Sequence, residues 1–168
     1  MLRLARVRAI STLFLILASS AGALLAAPPE GYDFLPLTEA TRLAGTEHKP
    51  MLLYFGRYGC TTCRKMHAEV FTDAGLRNRL NKDFVLAYVD TESAERITLA
   101  SGERITEMQF AARNRILGTP TFVFFSAEQK PLFSKAGFQD IALMQHYGDY
   151  VAEGYYLSMS LAEFLAKP

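Results

Sequence analysis

The stretch Met51-Leu52-Leu53-Tyr54-Phe55-Gly56-Arg57-Tyr58-Gly59-Cys60-Thr61-Thr62-Cys63-Arg64-Lys65-Met66-His67 decides the fold. Its first five residues form an apolar run bounded by Pro50 and Gly56, which suits a strand buried on both faces. From Cys60 onward the spacing changes, and Cys63, Met66, His67, Val70 and Phe71 recur at three- and four-residue intervals. A helix is expected to begin at or beside Cys60. A sulfur at a helix start meets unpaired backbone N–H groups and the positive end of the helix dipole, and both favour thiolate over thiol. Cys60 is therefore the expected nucleophile. Cys63, one turn inward, is placed to attack a mixed disulfide on Cys60 and release the partner. Arg57, Arg64 and Lys65 stand close enough in sequence to add to the thiolate's stabilisation.

Other chemistry competes for the same residues. A structural disulfide across so short a loop gains only about 2 kcal/mol on the loop-entropy model. His67 lies four residues after Cys63 on the same helical face, but a closed zinc site needs a fourth ligand and there is no second CxxC. A soft-metal site for copper(I), built from Cys60, Cys63 and His67, stays open as an alternative. Covalent haem needs His directly after the second Cys, where this chain has Arg64. The chain has two cysteines, so these have only each other.

Working outward, Leu37 to Ala44 has weak helical spacing ended by Gly45 and Pro50, and Thr72 or Asp73 can cap a short helix through Leu76 and Leu80. Phe84 to Val89 is apolar on both alternating faces and reads as a central strand. There follow a helix from about Thr106 to Ile116, strands at Pro120 to Phe125 and Leu132 to Ala136, and a helix through Ile141, Met144, Tyr147 and Val151. The fold class this order implies is α/β, a central mixed sheet of about four strands with helices on both faces.

The chain of 168 residues, half of them hydrophobic, suffices for one core. A formal net charge of +1 offers no field to attract nucleic acid. Residues 1–27 carry Arg3, Arg6 and Arg8, no acidic residue, and a nearly unbroken apolar run from Ile10 to Ala27. That layout is expected of a secretory signal peptide, with a span of about 16 to 18 apolar residues at the lower edge of membrane-crossing length. Without those three arginines the +1 becomes −2, close to neutral. Residues 28–35 read as a linker and 36–168 as the folded domain. Export puts a cysteine pair in an oxidising compartment, where it is either bonded or exchanging electrons.

A second signal is Gly118-Thr119-Pro120-Thr121, which opens an apolar strand sixty positions after Cys60. With it, the chain from about Leu35 to Val151 resembles the thioredoxin superfamily. The resemblance rests on the strand before Cys60-Thr61-Thr62-Cys63, the Thr119-Pro120 pair, Gly137 after the last strand, and the order of elements. It implies a cis Pro120 beside the sulfurs and a Thr119 whose backbone pairs with an extended substrate segment. Within the superfamily the chain is most similar to the exported, SoxW-type thioredoxin of bacterial sulfur-oxidation systems. The stretches that carry this are Leu52-Leu53-Tyr54-Phe55, Cys63-Arg64-Lys65-Met66-His67-Ala68-Glu69-Val70-Phe71 and Gly118-Thr119-Pro120-Thr121-Phe122-Val123-Phe124-Phe125. That resemblance implies a periplasmic reductase acting on partner-protein disulfides, fed by a membrane-bound thiol transporter, with no small-molecule cofactor.

Three departures bear on mechanism. Thr61-Thr62 replaces the usual Gly-Pro, so Thr61, Thr62 and Arg64 are the expected tuning positions, and oxidase or isomerase chemistry remains an alternative to reduction. Gly59 stands where common thioredoxins carry tryptophan. Tyr54 occupies the place of their buried acid, which leaves water or another group to accept the Cys63 proton. Residues 91–105 are longer than a minimal connection and are expected at the CxxC edge of the sheet, either as a partner-selecting insert or as a solvated loop. Apolar spacing from Gly154 to Pro168 predicts one more helix.

Overall fold

The computed structural model describes residues 27–167. Apart from Ala27, the expected signal peptide lies outside the described residues. The elements run β1 (Phe34–Pro36), α1 (Leu37–Glu47), β2 (Met51–Gly56), α2 (Thr61–Glu69), α3 (Ala74–Asp83), β3 (Val85–Asp90), β4 (Arg96–Thr98), β5 (Arg104–Thr106), α4 (Glu107–Arg113), β6 (Thr121–Phe125), β7 (Pro131–Ala136), α5 (Ile141–Ala152), a 3₁₀ turn (Tyr155–Leu157) and α6 (Leu161–Leu165). The main sheet has the order β1-β3-β2-β6-β7. β1 and β2 flank β3 in parallel, while β6 is antiparallel to both β2 and β7.

Strand alternation explains the two-sided core. In β2 every residue is buried. Leu52 and Tyr54 join Leu86, Phe122 and Phe124 against Met66 and Val70 of α2, Leu76 and Leu80 of α3, and Met144, Tyr147 and Val151 of α5. Met51, Leu53 and Phe55 join Val85, Ala87 and Val89 against Leu37, Ala40 and Ala44 of α1 and Ala111 of α4. Asp73 and Asp140 cap α3 and α5 by accepting from the Leu76 and Leu143 N–H groups at 2.7 and 2.8 Å. The tail packs Phe164 against Tyr155 and Tyr150, with ring centroids 4.8 and 5.4 Å apart.

The structure corrects several expectations. The sheet has five strands, not four, because Phe34–Pro36, expected as the end of a linker, pairs along β3 as an edge strand. Three residues ending in proline carry no period to read, and an edge tolerates the missing N–H. The first helix continues through Gly45 and ends at His48, which adopts the left-handed conformation with φ 50°. α4 stops at Arg113, three residues short, and Arg115 turns at φ 54°. The 91–105 stretch contains a β4–β5 ribbon. Ile97 and Ile105 bury its inner side, and the Thr38 hydroxyl bonds the Thr98 N–H and carbonyl at 3.0 and 3.2 Å.

Candidate active site

β2 delivers the chain to its carboxyl end, where Arg57-Tyr58-Gly59 turns it into α2. Gly59 takes φ +71°, a conformation that costs glycine little. Cys60 then occupies the N-cap of α2, with extended backbone at φ −69° and ψ 105°. Its sulfur takes the place a Ser or Asp oxygen usually fills, accepting the backbone N–H of Cys63 at 3.0 Å. Cys60 and Cys63 are joined as a disulfide, and each residue is only 6% exposed.

The Thr119–Pro120 peptide is cis and Pro120 is buried. The Thr119 carbonyl oxygen lies 3.3 Å from Cys60 Sγ. An oxidised sulfur has no proton to donate, so this is a packing contact; in the dithiol the same oxygen is within reach of a Cys60 S–H. The Gly137 N–H donates to the Pro120 carbonyl at 2.8 Å, tying the end of β7 to this loop.

The cations expected near the sulfurs are engaged elsewhere. Arg57 Nη1 donates to Glu92 at 3.1 Å, and Arg64 Nη2 donates to the Thr61 hydroxyl at 3.3 Å. Lys65 Nζ stands 3.8 Å from the Glu69 carboxylate and 4.3 Å from the centre of the Phe138 ring. These groups lie at the surface, where such pairs contribute little. Thr61 is exposed and Thr62 half-buried in the first turn of α2. The group bonded to Cys60 Sγ is the Cys63 N–H at the helix terminus, while Arg57 and Arg64 line the cavity beside it.

Two features escaped the sequence. Tyr54, fully buried in β2, places its hydroxyl 3.2 Å from His67 Nε2. Beside the disulfide a cavity of about 230 Å³ is lined by Tyr54, Tyr88, His67, Cys60, Cys63 and the rim arginines. Burial pushes the Tyr54 and Tyr88 phenols above their ordinary range and lowers His67 below its usual value. Burial and helical spacing marked Tyr54 and His67 separately, but their pairing depends on how α2 crosses β2. Among the described residues no group of three or more His, Cys, Asp or Glu side chains is arranged to hold a metal ion.

A sequence model described as a thioredoxin-like domain matches residues 37–152. The chain belongs to the thioredoxin-like domain family. No curated protein matches it. Among solved structures, a thioredoxin-fold protein from Helicobacter pylori aligns at TM-score 0.62 and 19% identity, covering 71% of this chain and 83% of that one. A thioredoxin from Thermus thermophilus aligns at 0.59 and 26%, covering 72% and 87%. The C-terminal domain of DsbD from Neisseria meningitidis, in its reduced form, aligns at 0.54 and 15%, covering 68% and 93%. This thioredoxin-like chain has the thiol–disulfide oxidoreductase fold, with its CxxC bonded at the helix start.

Exposed apolar side chains surround that site. Of five large ones among the described residues, four are Tyr58, Met108, Leu117 and Phe138, and Leu117 is 98% exposed. Tyr58 lines the cavity with Cys60, Leu117 and Met108 line the neighbouring hollow with Thr119, and Phe138 lies under Lys65.

Proposed function

We propose that this protein is an exported, SoxW-type thioredoxin that reduces disulfides of partner proteins through Cys60 and Cys63, taking its electrons from a membrane-bound thiol transporter. The observation that carries the reading is Cys60 Sγ, capping α2 under the Cys63 N–H while touching the Thr119 carbonyl. In the dithiol, the Cys60 thiolate attacks a partner disulfide. One partner sulfur leaves with the bonding pair and takes a proton, and Cys60 is left in a mixed disulfide. Cys63 loses its proton and attacks Cys60, the second partner sulfur leaves as thiolate and is protonated, and the Cys60–Cys63 bond closes. The dithiol is oxidised by two electrons and the partner disulfide is reduced by two. Thr119 and Pro120 form the shelf for the partner segment, and the apolar rim of Tyr58, Leu117 and Phe138 suits an unfolded or extended stretch of protein.

Charge supports this direction. A strong disulfide donor needs a thiolate stabilised well beyond a helix end, since that is what favours its reduced form. Here the three candidate cations bond other groups. The export step rests on Arg3, Arg6, Arg8 and the apolar run to Ala27, and periplasmic fractionation with N-terminal sequencing of the mature chain tests it. For the chemistry, the dithiol protein is given insulin as a disulfide substrate. Reduction above the uncatalysed rate, abolished in Cys60→Ser and halted as a mixed disulfide in Cys63→Ser, is expected. Insulin left intact, or faster oxidation of a reduced substrate, overturns the direction.

A further inference from the structure

We propose that the half-buried His67, held in place by the buried Tyr54, is the proton acceptor that readies Cys63 for its attack. This rests on the dithiol mechanism above and names the group that mechanism lacks. Cys63 is buried, and only a thiolate attacks. Cys60 gains its thiolate from the N-cap, but Cys63 sits a turn inside the helix, without that terminus and with a buried setting that opposes ionisation.

His67 follows Cys63 by four residues on one helix, a spacing that puts their β-carbons about 5–6 Å apart. Both line the same cavity, which has room and polar groups enough for a bridging water. The Tyr54 hydroxyl, anchored in β2 and stacked on Phe122, holds the imidazole at Nε2. With the His67 Nε2–H donating to Tyr54, Nδ1 is left free to accept a proton; with the roles exchanged, a tautomer shift restores it.

Charged and titratable groups surround His67 on its own helix, on β2 and β3, and along the rim. From β2 and β3 come Tyr54 and Tyr88, whose phenols stay neutral, and beyond Tyr88 stand Asp90 and Glu107, which act on that phenol. From the rim come the guanidinium groups of Arg57 and Arg64 and the exposed Tyr58. Lys65 and Glu69 pair with each other on the exposed side of α2. Between pH 5 and 8, therefore, His67 is the group of this set suited to exchange a proton with Cys63, and burial keeps it neutral at pH 7.

The step balances. The Cys63 proton passes through water to His67 as its sulfur attacks Cys60, the electron pair of the mixed disulfide leaves with the partner sulfur, and the imidazolium returns its proton to that thiolate. His67 ends as it began. Tyr54 is a positioning residue.

The test uses a disulfide whose two thiolates are read separately, 5,5′-dithiobis(2-nitrobenzoate), under single turnover with the dithiol protein. The first release reports Cys60 attack and the second reports Cys63. In the native protein the second rate is expected to rise through an inflection below pH 6.5 and then level off. In His67→Gln that inflection moves above about 8.5, the free thiol's own range, and the rate at pH 7 falls at least roughly 10-fold while the first release changes less than about twofold. Tyr54→Phe keeps the low inflection but lowers the plateau severalfold. A second release in folded His67→Gln with native rate and pH profile overturns the inference. If His67→Gln does not fold, NMR titration of His67 in the Cys63→Ser mixed disulfide decides: a pKa matching the native kinetic inflection supports the relay, and a mismatch above about one unit overturns it. Failure here with insulin still reduced leaves the proposed function standing, whereas no insulin reduction overturns the direction on which that function rests.

Discussion

Replacing Gly56 by Ala probes how firmly the floor of the redox cavity is built. Gly56 closes β2 opposite Asp90 of β3, and its carbonyl accepts the Thr91 N–H at 2.9 Å. A Cβ there stands 2.6 Å from Tyr88 Oη, 2.9 Å from Cε2 and 3.1 Å from Cζ. Two effects oppose. Alanine restricts the unfolded chain and favours the folded state by about 0.5–1 kcal/mol where the backbone permits it. Forcing a methyl against a packed ring costs about 1–3 kcal/mol. The clash wins because Tyr88 is not free to swing: its ring is held edge-on by Tyr54 at 5.3 Å and by Phe34 at 6.4 Å. The net is a loss of about 1–2 kcal/mol, a fall in Tm of roughly 3–7 °C for a domain of this size, read by calorimetry on the oxidised protein. Adding Tyr88→Phe removes the shortest contact and is expected to recover about half, since two ring carbons remain too close. A Gly56→Ala protein with unchanged or raised Tm would show that Tyr88 yields freely and does not shape the cavity.

Acid stability carries a signature of His67. Burial lowers its folded pKa below the ordinary 6.5, so stability is full above pH 6.5 and is lost as pH falls through 6.5 toward the folded value, where the unfolded chain takes up the proton first. Burial raises Glu107, which acts in the opposite sense. The difference between native and His67→Gln denaturation curves cancels that contribution, and it should narrow from pH 7 to pH 5.5; a constant difference would contradict the shift. Asp73→Ala and Asp140→Ala each remove a helix cap bonded at 2.8 Å or less and should cost about 1 kcal/mol in urea titration. Phe164→Ala strips a half-buried ring from Tyr155 and Tyr150 and should cost about 2 kcal/mol while leaving insulin reduction at its native rate. A slower reaction in a still-folded variant would mean that the tail meets partners rather than covering the core.

The central strand, the helix start at Cys60 and the later strand order were legible because period-2 and period-3.6 patterns leave direct marks on the sequence. β1 was not, since three residues at an edge draw their pairing from β3 rather than from any pattern of their own. The β4–β5 ribbon was hidden for a related reason: each of its short strands buries one isoleucine, Ile97 or Ile105, between an arginine and a threonine. At the site, the cysteines were nameable from motif and spacing, and Thr119 and Pro120 from the resemblance to the thioredoxin superfamily. The thiolate stabilisation expected of Arg57, Arg64 and Lys65 depended on side-chain direction, and each of them bonds another residue in the structure. The Tyr54–His67 bond joins a strand to a helix across the sheet face, and only the packing of α2 on β2 brings it about.

The most direct test of the account is the equilibrium reduction potential of the Cys60–Cys63 couple, measured on the folded domain against dithiothreitol and glutathione buffers. A thiolate stabilised by a helix terminus without a bonded cation should give a value near the about −270 mV of thioredoxin, that of a reductant needing an electron supply. A value near the about −120 mV of a strong periplasmic oxidant would make the protein a donor of disulfides and contradict the proposed direction of flow.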